Sequence, residues 1–410
     1  MSIDFIDIMI ERGFYHQASD LDGLRQKLKE SVQTAYIGYD PTAESLHIGN
    51  LMGIMLLKWF QECGHRPLTL MGGGTVLLGD PSGKDAMRTL IDPANVNKNI
   101  AKIKPVFAKY LDYNDSKNGA IMVNNYDWIE PLNYVQFLRE VGQHLPLSGM
   151  LAMDSVKNRL DREQGITFLE FNYMVLQAFD FVELHKRHNV TIQMGGSDQW
   201  GNIVRGVDLG RRMEGYNLFA FTTPLLQTSS GAKMGKSAAG AVWLNADMCS
   251  PYEYYQYWRN TEDADVVRWL KIYTMLPMDE INKLEKLEGA EINEAKKILA
   301  FEATKLCHGE AAAIEAQDTA QKTFEQGLTG EALPHYDLTQ NTIDNGATII
   351  DVAVELNIVK SKGEIRRLID QGGVKINDQK IDNHDAQFKN FDAPYKLQIG
   401  KKNISIIRPN

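Results

Sequence analysis

YIGYDPTAESLHIGN, residues 36–50, reads as the end of a strand, a loop and the first turn of a helix. The apolar run 35–38 supplies the strand, and His47-Ile48-Gly49-Asn50 leads straight into a helical pattern that ends near Cys63, with Gly64 as its stop. Unpaired amides at such a helix start favour phosphate. Gly49 also lacks the side chain that would hold a flat base off the backbone. A surface histidine at an ordinary helix entry has the same local pattern, so the segment gains a function only if a second element matches it.

Outward from this segment, from 35 to about 221, short apolar runs alternate with helical patterns, the rhythm of an α/β domain on a parallel sheet. The runs 67–71, 190–194 and 218–221 read as further strands, and LEFNYMVLQAFDFVELH, residues 169–185, as a second long helix. Past Ala246 the pattern is helical without strands. Ser250-Pro251-Tyr252-Glu253 is a capping box with proline at the first helical position, and charged helices follow to about Gly327. Residues 329–347 are polar, rich in turn formers and aperiodic, which predicts a linker. The tail then offers an amphipathic helix through Ile349, Val352, Val354 and Leu356. A second capping box follows at Ser361-Lys362-Gly363-Glu364, then a Gly372-Gly373 stop and a hairpin around Asn377-Asp378. The expected division is an α/β domain over 1–245, an α-helical domain over 246–328, a linker over 329–346 and a small α+β domain over 347–410.

A chain of 410 residues exceeds what one core usually supports, and 43 % apolar with 24 % charged residues is the balance of a folded protein. Cys63, Cys249 and Cys307 are too few and too scattered for a disulfide framework or a zinc set, which predicts a reducing, cytoplasmic setting and no metal held by protein ligands. Asp4, Asp7 and Glu11 interrupt the opening residues, so no signal peptide is expected, and no apolar run is long enough for a membrane span. The net charge of −9 argues against nucleic acid as a partner, but the charge is uneven. Residues 345–410 hold 11 Lys+Arg against 8 Asp+Glu, and the rest of the chain 33 against 45. On the second tail helix Lys362, Arg366 and Arg367 stay off the apolar stripe and form a basic ridge, with Lys375 following on the hairpin.

The matching element is Ser230-Gly231-Ala232-Lys233-Met234-Gly235-Lys236-Ser237. Two lysines three apart beside glycines make a cationic loop suited to closing on a triphosphate. GDPSGK, residues 79–84, is no Walker motif: three residues separate Gly79 from Gly83, and Asp85 stands where Ser or Thr would bind magnesium. In chain order, HIGN, GDPSGK, YMVLQAFD over 173–180, QMGGSDQW over 193–200 and KMGKS resemble the tyrosyl-tRNA synthetases of class I, over essentially the whole chain. The sequence departs at Asn50, where the class usually has histidine, and at KMGKS, where KMSKS is commoner. Asparagine keeps a donor, and glycine in that loop is similar to that of the bacterial tyrosyl enzymes.

The resemblance implies a Rossmann-like nucleotide-binding domain with a parallel sheet, an α-helical domain and an S4-like C-terminal RNA-binding domain. It also implies a homodimeric ligase that converts tyrosine and ATP to tyrosyl-adenylate and charges tRNA(Tyr), with Mg2+ carried on the ATP phosphates. Tyr36 and Asp180 match the groups that hydrogen-bond the phenol. Tyr173, Gln177 and Asp80 match those around the α-ammonium, and Gln199 reaches toward the reacting carboxylate. Spacings of four and three put Tyr173, Gln177 and Asp180 on one helical face. Gly38, Asp40, Gly49, Asn50, Gly196 and Asp198 match nucleotide contacts, and Thr42 and His47 the grip on the γ-phosphate. Lys84, Arg88, Lys233 and Lys236 would supply positive charge as pyrophosphate leaves. Lys362, Arg366, Arg367 and Lys375 would hold RNA phosphates. Arg211 and Arg212 lie where an acceptor stem passes in the family, and read equally well as surface charge.

Three rivals are weighed against this. Tryptophanyl synthetases share the fold and both motifs, but Tyr36 with Asp180 and the tail oppose them. A small-molecule nucleotidyltransferase explains the histidine motif and not the tail. A non-catalytic RNA-binding relative would not keep His47, Lys233, Lys236 and Asp198 together.

Overall fold

The computed structural model describes the chain apart from residues 1–3, 81–90, 115, 152, 163–165, 232, 233, 238, 239, 326–334, 339–345, 347, 357, 360, 378, 389–393, 401, 402 and 410. It divides into two compact units, Met1–Gly231 with Arg268–Met278, and Ala232–Val267 with Asp279–Asn410.

The first unit is built on a six-stranded sheet, ordered β1-β6-β5-β2-β3-β4. The strands are β1 Gln17–Ala18, β2 Thr34–Tyr39, β3 Arg66–Met71, β4 Ile121–Asn124, β5 Val190–Gly196 and β6 Phe219–Thr223. β6 to β4 run parallel, and β1 closes the edge antiparallel to β6. β2, β3, β5 and β6 are the four strands expected from sequence. Each is buried along nearly its whole length, as strands covered on both faces are. β4 is only partly buried throughout, so it lacks both the alternation and the long apolar run that mark a strand in sequence. The chain goes from β2 to β3 to β4, then returns to β5 on the other side of β2. The C-terminal ends of β2 and β5 therefore flank a topological switch point, where open α/β sheets take their ligands.

Helices Ile48–Glu62 and Phe168–His188 of this unit start as their sequences dictate. In Ile48–Glu62 the His47 Nδ1 accepts the Gly49 amide at 3.0 Å, and the Asn50 Oδ1 accepts the His47 amide at 3.1 Å. Gly64, at φ +87°, ends it in a conformation that disfavours other residues. Phe168–His188 opens on a Thr167/Glu170 capping box and stops at Asn189 with φ 51°. Its Ala178, Phe181 and Val182 join Tyr36, Leu68, Leu70 and Val190 in one core. The buried Arg12 explains why Arg268–Met278 belongs to this unit: its guanidinium donates to the carbonyls of Lys271 and Leu276 at 3.0 and 2.6 Å and lies 4.0 Å over the Trp59 ring.

In the second unit the expected Ser250/Glu253 box opens helix Pro251–Arg259, which packs with Ile292–His308 and Glu310–Glu325. β7, Lys236–Ser237, pairs antiparallel with β8, Gly240–Ala241. A five-stranded sheet, β11-β10-β12-β13-β9, forms the end of the chain. Its strands are β9 His335–Leu338, β10 Val374–Ile376, β11 Gln379–Lys380, β12 Tyr395–Ile399 and β13 Asn403–Pro409. Helices Ile349–Glu355 and Lys362–Asp370, capped by Thr348 and Ser361, share the core with the sheet through Ile349, Val352, Ile365, Ile369 and Leu397. The expected hairpin is β10–β11, turning at Asn377 with φ 46°. One stretch read as linker is corrected. His335–Leu338 is a strand, paired parallel to β13. Only Leu338 of its four residues is fully buried, so the pairing comes from the distant partner strand and left no local pattern to read.

No helix among the described residues is long and apolar enough to cross a membrane.

Candidate active site

Two runs of hydrogen bonds connect the residues that follow the parallel strands to helix Phe168–His188. In the first, the Tyr173 hydroxyl donates to Asp40 Oδ2 at 3.1 Å and the Thr75 hydroxyl to Asp40 Oδ1 at 3.2 Å. Asn125 Nδ2 donates to Thr75 Oγ1 at 3.0 Å and to Asp180 Oδ2 at 2.9 Å, and the Trp128 indole donates to Asp180 Oδ1 at 2.7 Å. In the second, Gln199 Nε2 donates to Asp80 Oδ2 at 3.2 Å, and Asn202 Nδ2 donates to Gln177 Oε1 at 2.9 Å and Gln199 Oε1 at 3.3 Å.

Asp180 is the electrostatic centre of the first run. Burial pushes its carboxyl up to about 7 against the pull of Asn125 and Trp128, with Asp40 and Glu183 adding to the rise. Tyr36 is equally buried, and burial, then the charge of Asp180, drives its phenol well above the usual range. Its hydroxyl has no hydrogen-bond partner among the described residues. A buried hydroxyl left so costs about 1–3 kcal/mol. The pair is completed by a group that donates to a carboxylate and also accepts, which is what a phenol does. Asp40, Asp80, Gln177 and Tyr173 gather oxygen acceptors, a set suited to an ammonium with its three donors.

At the entry of helix Ile48–Glu62, His47 accepts a backbone amide on Nδ1, which places the imidazole proton on Nε2 and makes that nitrogen a donor. The Asn50 oxygen is spent on the His47 amide, which accounts for asparagine at this position: it completes the helix entry. Thr42 is exposed, with its amide on the Asp40 carbonyl at 2.8 Å. Gly38 is exposed, and a Cβ on it would meet nothing nearer than Leu70 at 3.9 Å, whereas a Cβ on Gly196 would lie 2.5 Å from Asp198 Oδ1. Gly49 and Asp198 are exposed.

Lys84, Arg88 and Lys233 lie outside the described residues, and Lys236 begins β7 in the second unit. Lys362, Arg366 and Arg367 are exposed on their helix and Lys375 is half-buried on β10, with Lys362 held by Asp351 at 2.6 Å. Arg211 and Arg212 both pair with Asp208 of their own helix, at 2.7 and 2.8 Å, which favours surface charge as their role.

Sequence reasoning missed Thr75, Asn125, Trp128, Gln193 and Asn202. A signal for Thr75 existed in MGGGT at the end of β3: a Cβ at Gly72 would lie 2.3 Å from Asp40 Oδ1, so glycine there marks a backbone pressed against the site. Gln193, 3 % exposed with its Oε1 unpartnered among the described residues, stood inside a quoted motif without a role.

Residues 28–325 match the family of class I tRNA synthetases (W and Y). The chain belongs to that class of enzymes. Residues 324–407 match the tyrosine–tRNA ligase SYY-like C-terminal domain. The tyrosine–tRNA ligase of Rhizobium meliloti is 53 % identical over 410 residues, 99 % of this chain and 98 % of that one, and that of Brucella suis 54 % over the same shares. A C-terminally truncated mitochondrial tyrosyl-tRNA synthetase of Aspergillus nidulans superposes with a TM-score of 0.71 at 31 % identity, covering 78 % of this chain and 94 % of that one. Within the class, the chain is one of the bacterial tyrosine–tRNA ligases.

Proposed function

We propose that the first unit binds L-tyrosine through Tyr36 and Asp180 at the phenol and through Tyr173, Gln177 and Asp80 at the ammonium, and joins it to AMP at the switch point. The observation that carries this is the buried Asp180 carboxylate beside a phenol that lacks a partner. Tyrosine's carboxylate is ionised at neutral pH and attacks the α-phosphorus of ATP in line. A carboxylate–phosphorus bond forms, the bond to the β-phosphate bridging oxygen breaks, and pyrophosphate leaves with its electron pair, so no general base is required. Gln199 orients the carboxylate. Gly38, Asp40, Gly49, Gly196 and Asp198 line the nucleotide, and Asn50 acts by fixing His47, whose Nε2 proton with the Thr42 hydroxyl meets the γ-phosphate. Lys84, Arg88, Lys233 and Lys236 are assigned to the departing phosphates on their motifs alone. Magnesium arrives on the nucleotide, which supplies its phosphate ligands. The terminal hydroxyl of tRNA(Tyr) then attacks the acyl carbon and AMP leaves. The C-terminal sheet and its Lys362–Asp370 helix hold the RNA through Lys362, Arg366, Arg367 and Lys375, and the enzyme works in the cytoplasm. In ATP–pyrophosphate exchange with each of the twenty amino acids, tyrosine alone should support the reaction; preference for tryptophan, or exchange with none, refutes the proposal.

The enzyme works as a homodimer. Tyr134, Val135, Leu147 and Phe168 are 57, 65, 59 and 68 % exposed, large apolar side chains that a partner would cover, and a second copy is the occupant assigned to them. Phe168 is the first residue of its helix, where aspartate is favourable, so Phe168→Asp should fold and sediment as a monomer at micromolar concentration. A variant still dimeric at that concentration removes this face from the interface.

A further inference from the structure

Helix Asp154–Asp161 precedes helix Phe168–His188, and a buried ion pair ties them. Arg159 Nη1 donates to Glu170 Oε1 at 2.9 Å, with the two side chains 8 and 6 % exposed. Glu170 Oε2 takes the Thr167 amide at 3.0 Å and the Thr167 hydroxyl at 2.9 Å, and that hydroxyl accepts the Glu170 amide at 3.2 Å. One carboxylate thus closes the helix cap and the bridge to the preceding helix. A capping box needs only its own threonine and glutamate. Taking a guanidinium out of water is costly, and an apolar pair of similar volume would hold two helices at least as well, so stability alone does not account for the arginine.

What the pair adds is direction. The cluster of Met153, Val156 and Met174, with Phe171 against it, holds the helices together by contacts that tolerate sliding. The Arg159–Glu170 bond has a fixed length and angle. Glu170 sits in the first turn of the helix that carries Tyr173 three residues on, Gln177 seven on and Asp180 ten on, all on the side of Glu170. Tyr173 meets Asp40 at 3.1 Å and Gln177 meets Asn202 at 2.9 Å, contacts that a small rotation or axial slip of the helix would break. We propose that Arg159 is a positioning residue for the amino-acid site: through Glu170 it sets the phase and height of the helix that presents Tyr173 and Gln177. This rests on the reading of Tyr173 and Gln177 as amino-acid ligands.

The test uses the full-length enzyme in pyrophosphate exchange, with Arg159→Met, Arg159→Lys, Tyr173→Phe and the Arg159→Met/Tyr173→Phe pair. Arg159→Met should raise the tyrosine KM about tenfold with the ATP KM unchanged, and Arg159→Lys should recover most of that loss. In the Tyr173→Phe background the same change should raise the tyrosine KM by less than about threefold, because the ligand it places is gone. If Arg159→Met does not fold, Glu170→Gln, which keeps an acceptor for Thr167, should show the same split between substrates. Equal losses for both substrates, or full additivity with Tyr173→Phe, overturns the positioning role. If Tyr173→Phe alone leaves the tyrosine KM unchanged, the reading of Tyr173 as a ligand fails instead.

Discussion

Asp180→Ala should erase most of the preference for tyrosine over phenylalanine, lowering the ratio of their kcat/KM values by about 10- to 200-fold with the KM for ATP little changed. Phenylalanine leaves Tyr36 and Asp180 without the ligand's hydroxyl, and tyrosine–tRNA ligases are themselves the standard example of that penalty. Without the carboxylate the site has much less to lose by accepting phenylalanine. The raised pKa adds a pH signature. Asp180 titrates at about 7, and a phenol that donates to it favours the ionised form, so tyrosine affinity should rise with pH through about 7 while phenylalanine affinity stays flat. The effect on the fold has the opposite sign. With a folded value of about 7 against an ordinary 3.8, the native chain keeps a proton that the unfolded chain releases between about pH 4 and 7. Stability from this group is therefore fullest below about pH 4 and is lost as pH rises through 7. Asp180→Asn, which does not titrate, should flatten both profiles. A folded Asp180→Ala enzyme that still discriminates as before would remove Asp180 from the phenol site.

A chain ended at Gly330 should exchange pyrophosphate at nearly the full rate and charge tRNA on the order of a hundredfold more poorly. The cut is placed by the structure. His335–Leu338 belongs to the C-terminal sheet, so ending the chain before it removes that sheet whole, and helix Glu310–Glu325 is kept. Every group assigned to activation lies between Tyr36 and Lys236 and survives. Lys362, Arg366, Arg367 and Lys375 are lost, and the slope of log binding constant against log salt should fall by roughly 3 with them. Charging by the shortened chain that matched the full one across a salt titration would mean that the tail does not hold tRNA.

The motif spacing carried much of this. HIGN was legible as a helix entry and KMGKS as a cationic stretch because both depend on local chemistry, a capped helix start and glycine-flanked lysines. Strands β2, β3, β5 and β6 were legible because strands covered on both faces are continuous apolar runs. β4 and His335–Leu338 were not, because each is held by pairing with a distant strand and carries no periodic burial of its own.

By itself the sequence determined the α/β class, the helix entries at His47, Ser250 and Ser361, the basic tail and the placement of Tyr173, Gln177 and Asp180 on one helical face. Those properties follow from neighbours a few positions apart. Only the tertiary structure decided that Asn125 and Trp128, 55 and 52 residues from Asp180, hold its two oxygens, and that Thr75 bridges Asn125 to Asp40. The reason is physical: the pKa of a buried carboxylate depends on desolvation and on partners brought from the short helix that follows β4, and neither is encoded in the residues beside it.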